Sequence, residues 1–447
     1  MYPVGDVPYQ HGAVLPGTPQ AKRDSCSPAP PVCRRPLPVS ENKRYDAAGR
    51  PYADSVKGIQ ESSGTPATDH HAALFRPLTV RSLDLANRIV MSPMTRSASP
   101  GGIPGADVAH YYRRRAAGGT GLIITEGVAI DHPAAVDNPR VPRLYGDDAL
   151  AGWRTVVDEV HAAGGRIIPQ LWHVGPLWGA MSKTVDPVVT PMRPSGRWGT
   201  AGTTSYSDEY VARAAQPTRP MTDNDLADVL SAYVRAAVTA TELGFDGIAL
   251  HGGHGYLLDS FLWHDTNTRD DRWGGDLAAR SRFPAAVVAA IRDAVGADMP
   301  IFFRFSQHKQ QDYTARIAET PDELQVALGA LADAGVDVFD ASIRRFDVPA
   351  FEGSDLSLAG WAKKLTGAHA MAVGSVGLGK PLRDSRAAGA AEIVDNIAEV
   401  DRRIESGEFD LIAVGRLHLA DPALATTLRT GAPLTPFDRA AHEGSLH

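Results

Sequence analysis

Cysteine is almost missing from this chain: its 447 residues hold two, Cys26 and Cys33, both in the N-terminal stretch. Two thiols do not make a disulfide framework, and residues 74–447 offer none for a thiolate metal site or an iron–sulfur cluster. Long apolar runs are missing as well. No segment has the length needed to cross a bilayer, so no membrane is expected as a partner. The formal net charge is -7 and no run of basic residues occurs, which argues against nucleic acid and anionic lipid as partners. Arg34–Arg35 is followed by Pro36 and Pro38 instead of an apolar core, so no targeting peptide is expected. A cytoplasmic location fits the cysteine usage. What remains, 43% apolar and 22% charged residues, is the balance of an ordinary globular protein.

Residues 1–73 are rich in Pro, Ser, Gly and charge, with too few clustered apolar residues to offset chain entropy; they are expected to form a disordered extension. A partner-binding role for this stretch has no support in its pattern. From residue 74 short apolar runs alternate with amphipathic segments. The runs are Arg88–Pro93, Gly121–Thr125, Arg166–Leu171, Phe245–Leu250, Pro300–Ser306, Val336–Ala341, Ala370–Gly374 and Asp410–Gly415. The helical segments that follow them are Asp107–Ala117, Asp148–Ala163, Thr222–Leu243, Ala278–Val295, Pro321–Ala334, a weaker one near 355–365, Ala388–Ser406 and Asp421–Arg429.

Thr222 with Asp225 resembles a capping box, and Gly244 stands where a glycine stops the helix. The runs are nearly continuous in apolar character, as in a parallel sheet buried on both faces. Eight strand–helix units over roughly 350 residues predict a single α/β domain over 74–447, a closed (β/α)8 TIM barrel and not an open doubly wound sheet. Thr79–Leu85 reads as a β-hairpin plug on the barrel floor. Residues 172–221, rich in Pro, Gly, Ser and Thr, read as a long loop over the mouth.

In such a barrel the active site lies at the C-terminal ends of the strands. The polar residues expected there are Thr95, Glu126, Gln170, His173, His251, His254, Arg304, Ser375 and Arg416. Gly374, Ser375, Val376 and Gly377 follow the seventh run, and Gly415 with Arg416 follow the eighth. Glycines let backbone N–H groups approach a phosphate, and a guanidinium binds it bidentately. Singly, each glycine reads equally well as a turn. His251 and His254 stand three apart across two glycines. Gly252–Gly253 deny them a rigid helical spacing and no further ligand motif stands nearby, so no metal is expected. A merely structural pair remains a second reading, as does simple packing for Tyr256.

The motifs in order are NRIVMSPMTR (87–96), LIITEG (122–127), IIPQLWHVG (167–175), GFDGIALHGGHGYLLDSF (244–261), N-x-R (267–269), WGG (273–275), AVGSVG (372–377) and LIAVGR (411–416). Over residues 74–437 this series resembles the old yellow enzyme family, the NADH:flavin oxidoreductases and 12-oxophytodienoate reductase-like ene reductases. The resemblance implies an oxidoreductase with tightly but non-covalently bound FMN and NADH or NADPH as reductant. It implies reduction of the activated C=C bond of small-molecule substrates, α,β-unsaturated carbonyl or nitro compounds, by ping-pong hydride transfer.

It further implies that Pro93, Thr95, Gly127, Gln170 and Arg304 line the isoalloxazine and that the loops at 374–377 and 415–416 hold the phosphate. His251 and His254 would donate to the substrate oxygen, where negative charge develops, and Tyr256 would protonate the α-carbon. Gln170 as a satisfied buried amide and Arg304 as an ion-pair partner stay open beside these roles.

The chain also departs from the family pattern. His254 stands where many relatives have Asn, and Thr95 where others have a redox-tuning Cys. Phe305, Ser306, Gln307, His308 and Lys309 follow Arg304 in place of Ser-Pro. Pro176 and Trp273 replace the usual Arg and Tyr. These positions bear on substrate choice. An FMN-dependent isomerase or a dedicated tailoring reductase of a natural-product or catabolic pathway would use the same pocket. A non-catalytic flavin-binding protein is opposed by the intact donor pair and Tyr256. Relatives resembling 2,4-dienoyl-CoA reductase or trimethylamine dehydrogenase need cysteines that residues 74–447 lack. The pattern leaves homo-oligomerisation open.

Overall fold

The period of a β-strand is two, so a strand buried on both faces sends alternate side chains inward and outward. That alternation governs the barrel. The computed structural model describes residues 71–181, 188–379, 392–444 and 446. The expected extension lies, up to residue 70, outside the described residues. A 3-10 turn, Ala72–Phe75, precedes the hairpin of β1 (Leu78–Val80) and β2 (Leu83–Leu85), which pair antiparallel.

Eight parallel strands then close a barrel: β3 (Ile89–Met91), β4 (Leu122–Ala129), β5 (Ile167–Trp172), β6 (Ile248–His251), β7 (Ile301–Phe305), β8 (Val338–Ser342), β9 (His369–Val373) and β10 (Leu411–Val414), which returns to β3. Val90, Leu122, Ile124, Ile168, Ala249, Phe302, Val338, Met371 and Ala413 fill the interior together with Val80, Leu83 and Leu85, so the hairpin does plug the floor. Their neighbours Ile89, Met91, Ile123, Ile167, Ile248, Leu250, Phe303, Phe339 and Ile412 face the surrounding helices. One step of two beyond the inward set lie Ser92, Gln170, His251, Arg304, Asp340, Val373 and Gly415. The fold thus delivers these residues to the same end of the barrel from seven different strands.

The helices are α1 (Ala106–Ala117), α2 (Asp147–Ala162), α3 (Asp208–Ala214), α4 (Asp223–Glu242), α5 (Leu257–Leu262), α6 (Leu277–Val295), α7 (Pro321–Asp333), α8 (Leu358–Thr366), α9 (Ile397–Glu405), α10 (Arg416–Ala420), α11 (Leu424–Thr430) and α12 (Arg439–His442). The capping box of α4 is present in both directions, and Gly244 adopts φ +86° just beyond its last turn.

Three expected segments differ. The stretch 172–221 contains α3, started by the Ser207 side chain accepting from the Tyr210 N–H, and residues 182–187 lie outside the described residues. Of the helix expected over Ala388–Ser406, residues 388–391 lie outside the described residues, 392–396 are not helical, and Ile397–Glu405 is. The reason is tertiary: Val394 N–H donates to Gly377 O, while Asn396 binds Gly377 N–H and Ser375 O through its side chain. These bonds draw the backbone away from a helical path. The last expected helix, Asp421–Arg429, is found as α11, starting at Leu424 after Pro422, and is preceded by a short helix that was not expected, α10.

Candidate active site

A cavity of about 530 Å3 opens at the C-terminal ends of the strands. Its lining includes Pro93, Thr95, Gly127, Gln170, His251, His254, Tyr256, Arg304, Gly374, Ser375, Val376, Gly415 and Arg416. Of the residues expected to hold cofactor or substrate, Gly377 does not line it: its N–H donates to Asn396 Oδ1 at 2.6 Å. Glu126 and His173 do not line the cavity either, although both stand at strand ends.

Strand β4 explains the first of these. A register shift between Ile124 and Gly127 breaks the alternation, so Gly127 faces the cavity and Glu126 turns behind it. A Cβ on Gly127 would lie 2.3 Å from Trp172 Cε3, so only glycine leaves room for that indole. The Glu126 carboxylate accepts the N–H groups of Arg96 and Ser97 at 2.9 and 3.0 Å, pinning the loop that carries Pro93 and Thr95. Burial pushes its carboxyl up to about 7 despite those two bonds.

The imidazoles form a constrained pair. His251 is buried, and its Nδ1 accepts the Gly253 N–H at 3.4 Å. Burial, reinforced by Arg304, holds its pKa well below the usual histidine range, so the ring is neutral and carries its proton on Nε2. His254 adopts φ +64°, a left-handed conformation that side chains rarely take. Its Nε2 lies 2.7 Å from Ser342 Oγ, which in turn accepts from Arg304 Nη2 at 3.3 Å. A hydroxyl accepting from Arg304 keeps its own hydrogen to give to His254 Nε2, and in that arrangement His254 Nδ1 carries the ring proton as a donor. Burial, then His251 and His308, push this ring far down as well. The two rings lie 5.1 Å apart at 82°, and the Tyr256 ring lies 4.7 Å from His251. Burial, first of all, raises the Tyr256 phenol, so it stays protonated at neutral pH. Trp172 stacks on His251 at 22° and meets Tyr256 edge-on, holding both.

Among the buried donors that make no hydrogen bond among the described residues are Gln170 Nε2, Trp172 Nε1 and Arg304 Nε. The same Arg304 Nε lies 3.6 Å from Asp340 Oδ2, an ion pair longer than a hydrogen bond, so the ion-pair reading of this residue is met while its Nε–H is not engaged by a hydrogen bond. Unsatisfied buried donors are costly, and a polar ring edge with carbonyl and ring-nitrogen acceptors would engage them. At the far side Gly374 has φ +143°, and a Cβ there would lie 2.3 Å from Ile343 O. The backbone of the loop after β9 therefore packs closely on that of the loop after β8, which a residue with a Cβ would prevent. Ser375 has φ +50° and its hydroxyl donates to Arg344 O at 2.8 Å, fixing the loop. The donor set thus fits FMN: amide and guanidinium for the ring, glycine loops and Arg416 for the phosphate.

The sequence named His308 only as a departure bearing on substrate choice, and it did not reveal five other lining residues: Trp172, Gln310, Tyr313, Ser342 and Arg344. Ser342 and Trp172 continue inward-facing parity and could have been found from it. The others come from loops without any period. Among the described residues no group of three or more His, Cys, Asp or Glu is placed to hold a metal ion, and no helix is long and apolar enough to cross a membrane.

A family model described as the NADH:flavin oxidoreductase / NADH oxidase family matches residues 73–435. The chain is 30% identical over 380 residues to 12-oxophytodienoate reductase 7 of Oryza sativa subsp. japonica, covering 82% of this chain and 90% of that protein. It is 31% identical to the flavin oxidoreductase hxnT of Emericella nidulans, covering 83% and 94% of the two chains. Among solved structures, morphinone reductase in complex with tetrahydroNAD superposes with a TM-score of 0.65 at 27% identity, covering 81% of this chain and 92% of that one.

Proposed function

The chain belongs to the NADH:flavin oxidoreductase / NADH oxidase family, and from that premise we propose that it reduces the activated C=C bond of α,β-unsaturated carbonyl or nitro compounds. It is an oxidoreductase of the old yellow enzyme type, with FMN as cofactor and a nicotinamide as reductant. Bound FMN supplies the hydride that such a reduction needs. Gln170, Thr95, Pro93, Gly127 and Arg304 would hold its ring, and Gly374, Ser375, Val376, Gly415 and Arg416 its phosphate, with Gly377 shaping the loop through its bond to Asn396.

The observation that carries this reading is the pair of neutral imidazoles beside a protonated phenol. His251 Nε2–H and His254 Nδ1–H donate to the carbonyl or nitro oxygen, which grows negative as the β-carbon is reduced. Neutral donors suit this work: an imidazolium there would bring a charge that the buried site penalises. Tyr256 then passes its phenolic proton to the α-carbon. A phenol raised above its usual range is a poor acid toward water, yet a carbanion is a strong enough base to take its proton. Nicotinamide and alkene would occupy the one cavity in turn, which gives a ping-pong order. The scarcity of cysteine favours a cytoplasmic setting. The direct test is anaerobic incubation of the FMN-loaded protein with NADH or NADPH and 2-cyclohexenone, with product identification. Cyclohexanone formed in step with nicotinamide oxidation supports the reading. Nicotinamide oxidation only in air, with no saturated product, overturns it.

A further inference from the structure

The loop after β7 brings a third imidazole into the cavity. His308 lies against His254 with ring centroids 5.1 Å apart and the rings tilted by 31°, and lies 6.4 Å from the Tyr313 ring. Its backbone carbonyl is held by the Ser306 hydroxyl, but its ring nitrogens make no hydrogen bond among the described residues. Burial, then Arg344, Lys309 and Arg304, push the ring down to about 3, so it is a neutral donor–acceptor at any working pH.

Beside it, Gln310 is oriented by three bonds. Its N–H donates to His254 O at 3.1 Å, its carbonyl accepts from Thr204 Oγ1 at 2.6 Å, and its side-chain Oε1 accepts from the Tyr313 hydroxyl at 3.2 Å. With Oε1 so engaged, the amide Nε2 is a donor that makes no hydrogen bond among the described residues, on a residue that lines the cavity.

The His251–His254 pair therefore has a counterpart. One set of donors takes the activating oxygen; His308 and Gln310 make a second donor pole in the same cavity, next to the Arg344 guanidinium that stacks over Tyr313 at 4.0 Å. A ligand with a single polar end would leave these groups desolvated and unmatched, at a cost. We propose that His308 and Gln310 are specificity-determining residues that select enones carrying a second carbonyl oxygen remote from the activated double bond. This rests on the reductase reading above and names its substrate class.

The pole is tested with two ligands of the same shape, 2-methylcyclohex-2-en-1-one bearing either a 5-acetyl or a 5-isopropenyl group. They differ by a carbonyl oxygen in place of a methylene. Calorimetric dissociation constants on the FMN-loaded, oxidised protein are expected to favour the acetyl compound by roughly fivefold, the worth of a single hydrogen bond. His308→Ala should bring the ratio to within about twofold of one, and His308→Gln, which keeps a donor, should restore it; Gln310→Leu should reduce it independently. Thermal melts of each variant separate loss of the pole from loss of fold. A wild-type ratio of one, or a ratio unmoved by both His308→Ala and Gln310→Leu, overturns the proposal. If the ratio holds but neither enone is reduced with NADH or NADPH, the reductase reading fails while the pole stands.

Discussion

Lys309 Nζ meets Asp259 Oδ1 at 2.6 Å in an ion pair with neither side chain exposed to solvent. The second carboxylate oxygen accepts the Gly255 N–H, and Lys309 also donates to Ser306 O. The pair thus ties the loop after β7, which carries His308, to the turn that carries His254 and Tyr256. Burial pushes the lysine down and the aspartate up, and each partner opposes the other's shift.

Breaking this pair from one side leaves a buried charge alone. Lys309→Met is expected to cost about 3–5 kcal/mol in denaturant unfolding. Adding Asp259→Asn, which removes the stranded charge but keeps an acceptor for Gly255, should recover at least half of that loss. Equal losses in the single and double variants would show that the ion pair is not what holds the two segments together.

Glu126 gives a pH dependence of known sign. Its pKa rises from 4.5 to about 7 on folding, because of burial. Between those values the folded state keeps a proton that the unfolded state has released, so stability falls as pH rises through that window. Glu126→Gln should flatten this slope. From about pH 4.5 to about pH 8 the parent should lose on the order of 3 kcal/mol more than the variant. Parallel stability curves for the two proteins would contradict it.

Gly127→Ala tests the close approach of Trp172. The added methyl meets the indole at 2.3 Å, so the ring must move, and with it the contacts that hold His251 and Tyr256. A loss of about 1–3 kcal/mol in stability is expected. It should come with a lower kcat on enones, and an unchanged kcat would show that Trp172 does not position those groups.

Replacing both imidazole donors, His251→Ala with His254→Ala, should raise the barrier for alkene reduction by roughly 2–4 kcal/mol. The measurement is kcat/KM on 2-cyclohexenone. Wild-type efficiency in the double variant would remove these residues from the mechanism.

Much of this was legible in the sequence because strand parity and apolar periodicity are local. Val90, Ile168, Ala249 and Phe302 face inward, and counting two onward gives Ser92, Gln170, His251 and Arg304. The β4 bulge defeats that count, which is why Glu126 looked like a lining residue and is instead a loop anchor. His308, Gln310 and Tyr313 had no period to reveal them. Their positions depend on bonds to His254, Thr203 and Thr204, residues distant in the chain. Residues 392–396 of the segment expected to be helical are held off a helical path by tertiary bonds, among them those of Asn396 to Ser375 and Gly377, which no local pattern reveals.

The central claim is that Tyr256 supplies the proton that completes alkene reduction. Stopped-flow absorbance on Tyr256→Phe separates the two half-reactions. Bleaching of the flavin by the nicotinamide should stay within about twofold of the parent, since that step needs no proton from the phenol, while its recolouring by 2-cyclohexenone should slow by about tenfold or more. A variant that slowed only the nicotinamide step, or that recoloured with the enone at the parental rate, would contradict the account.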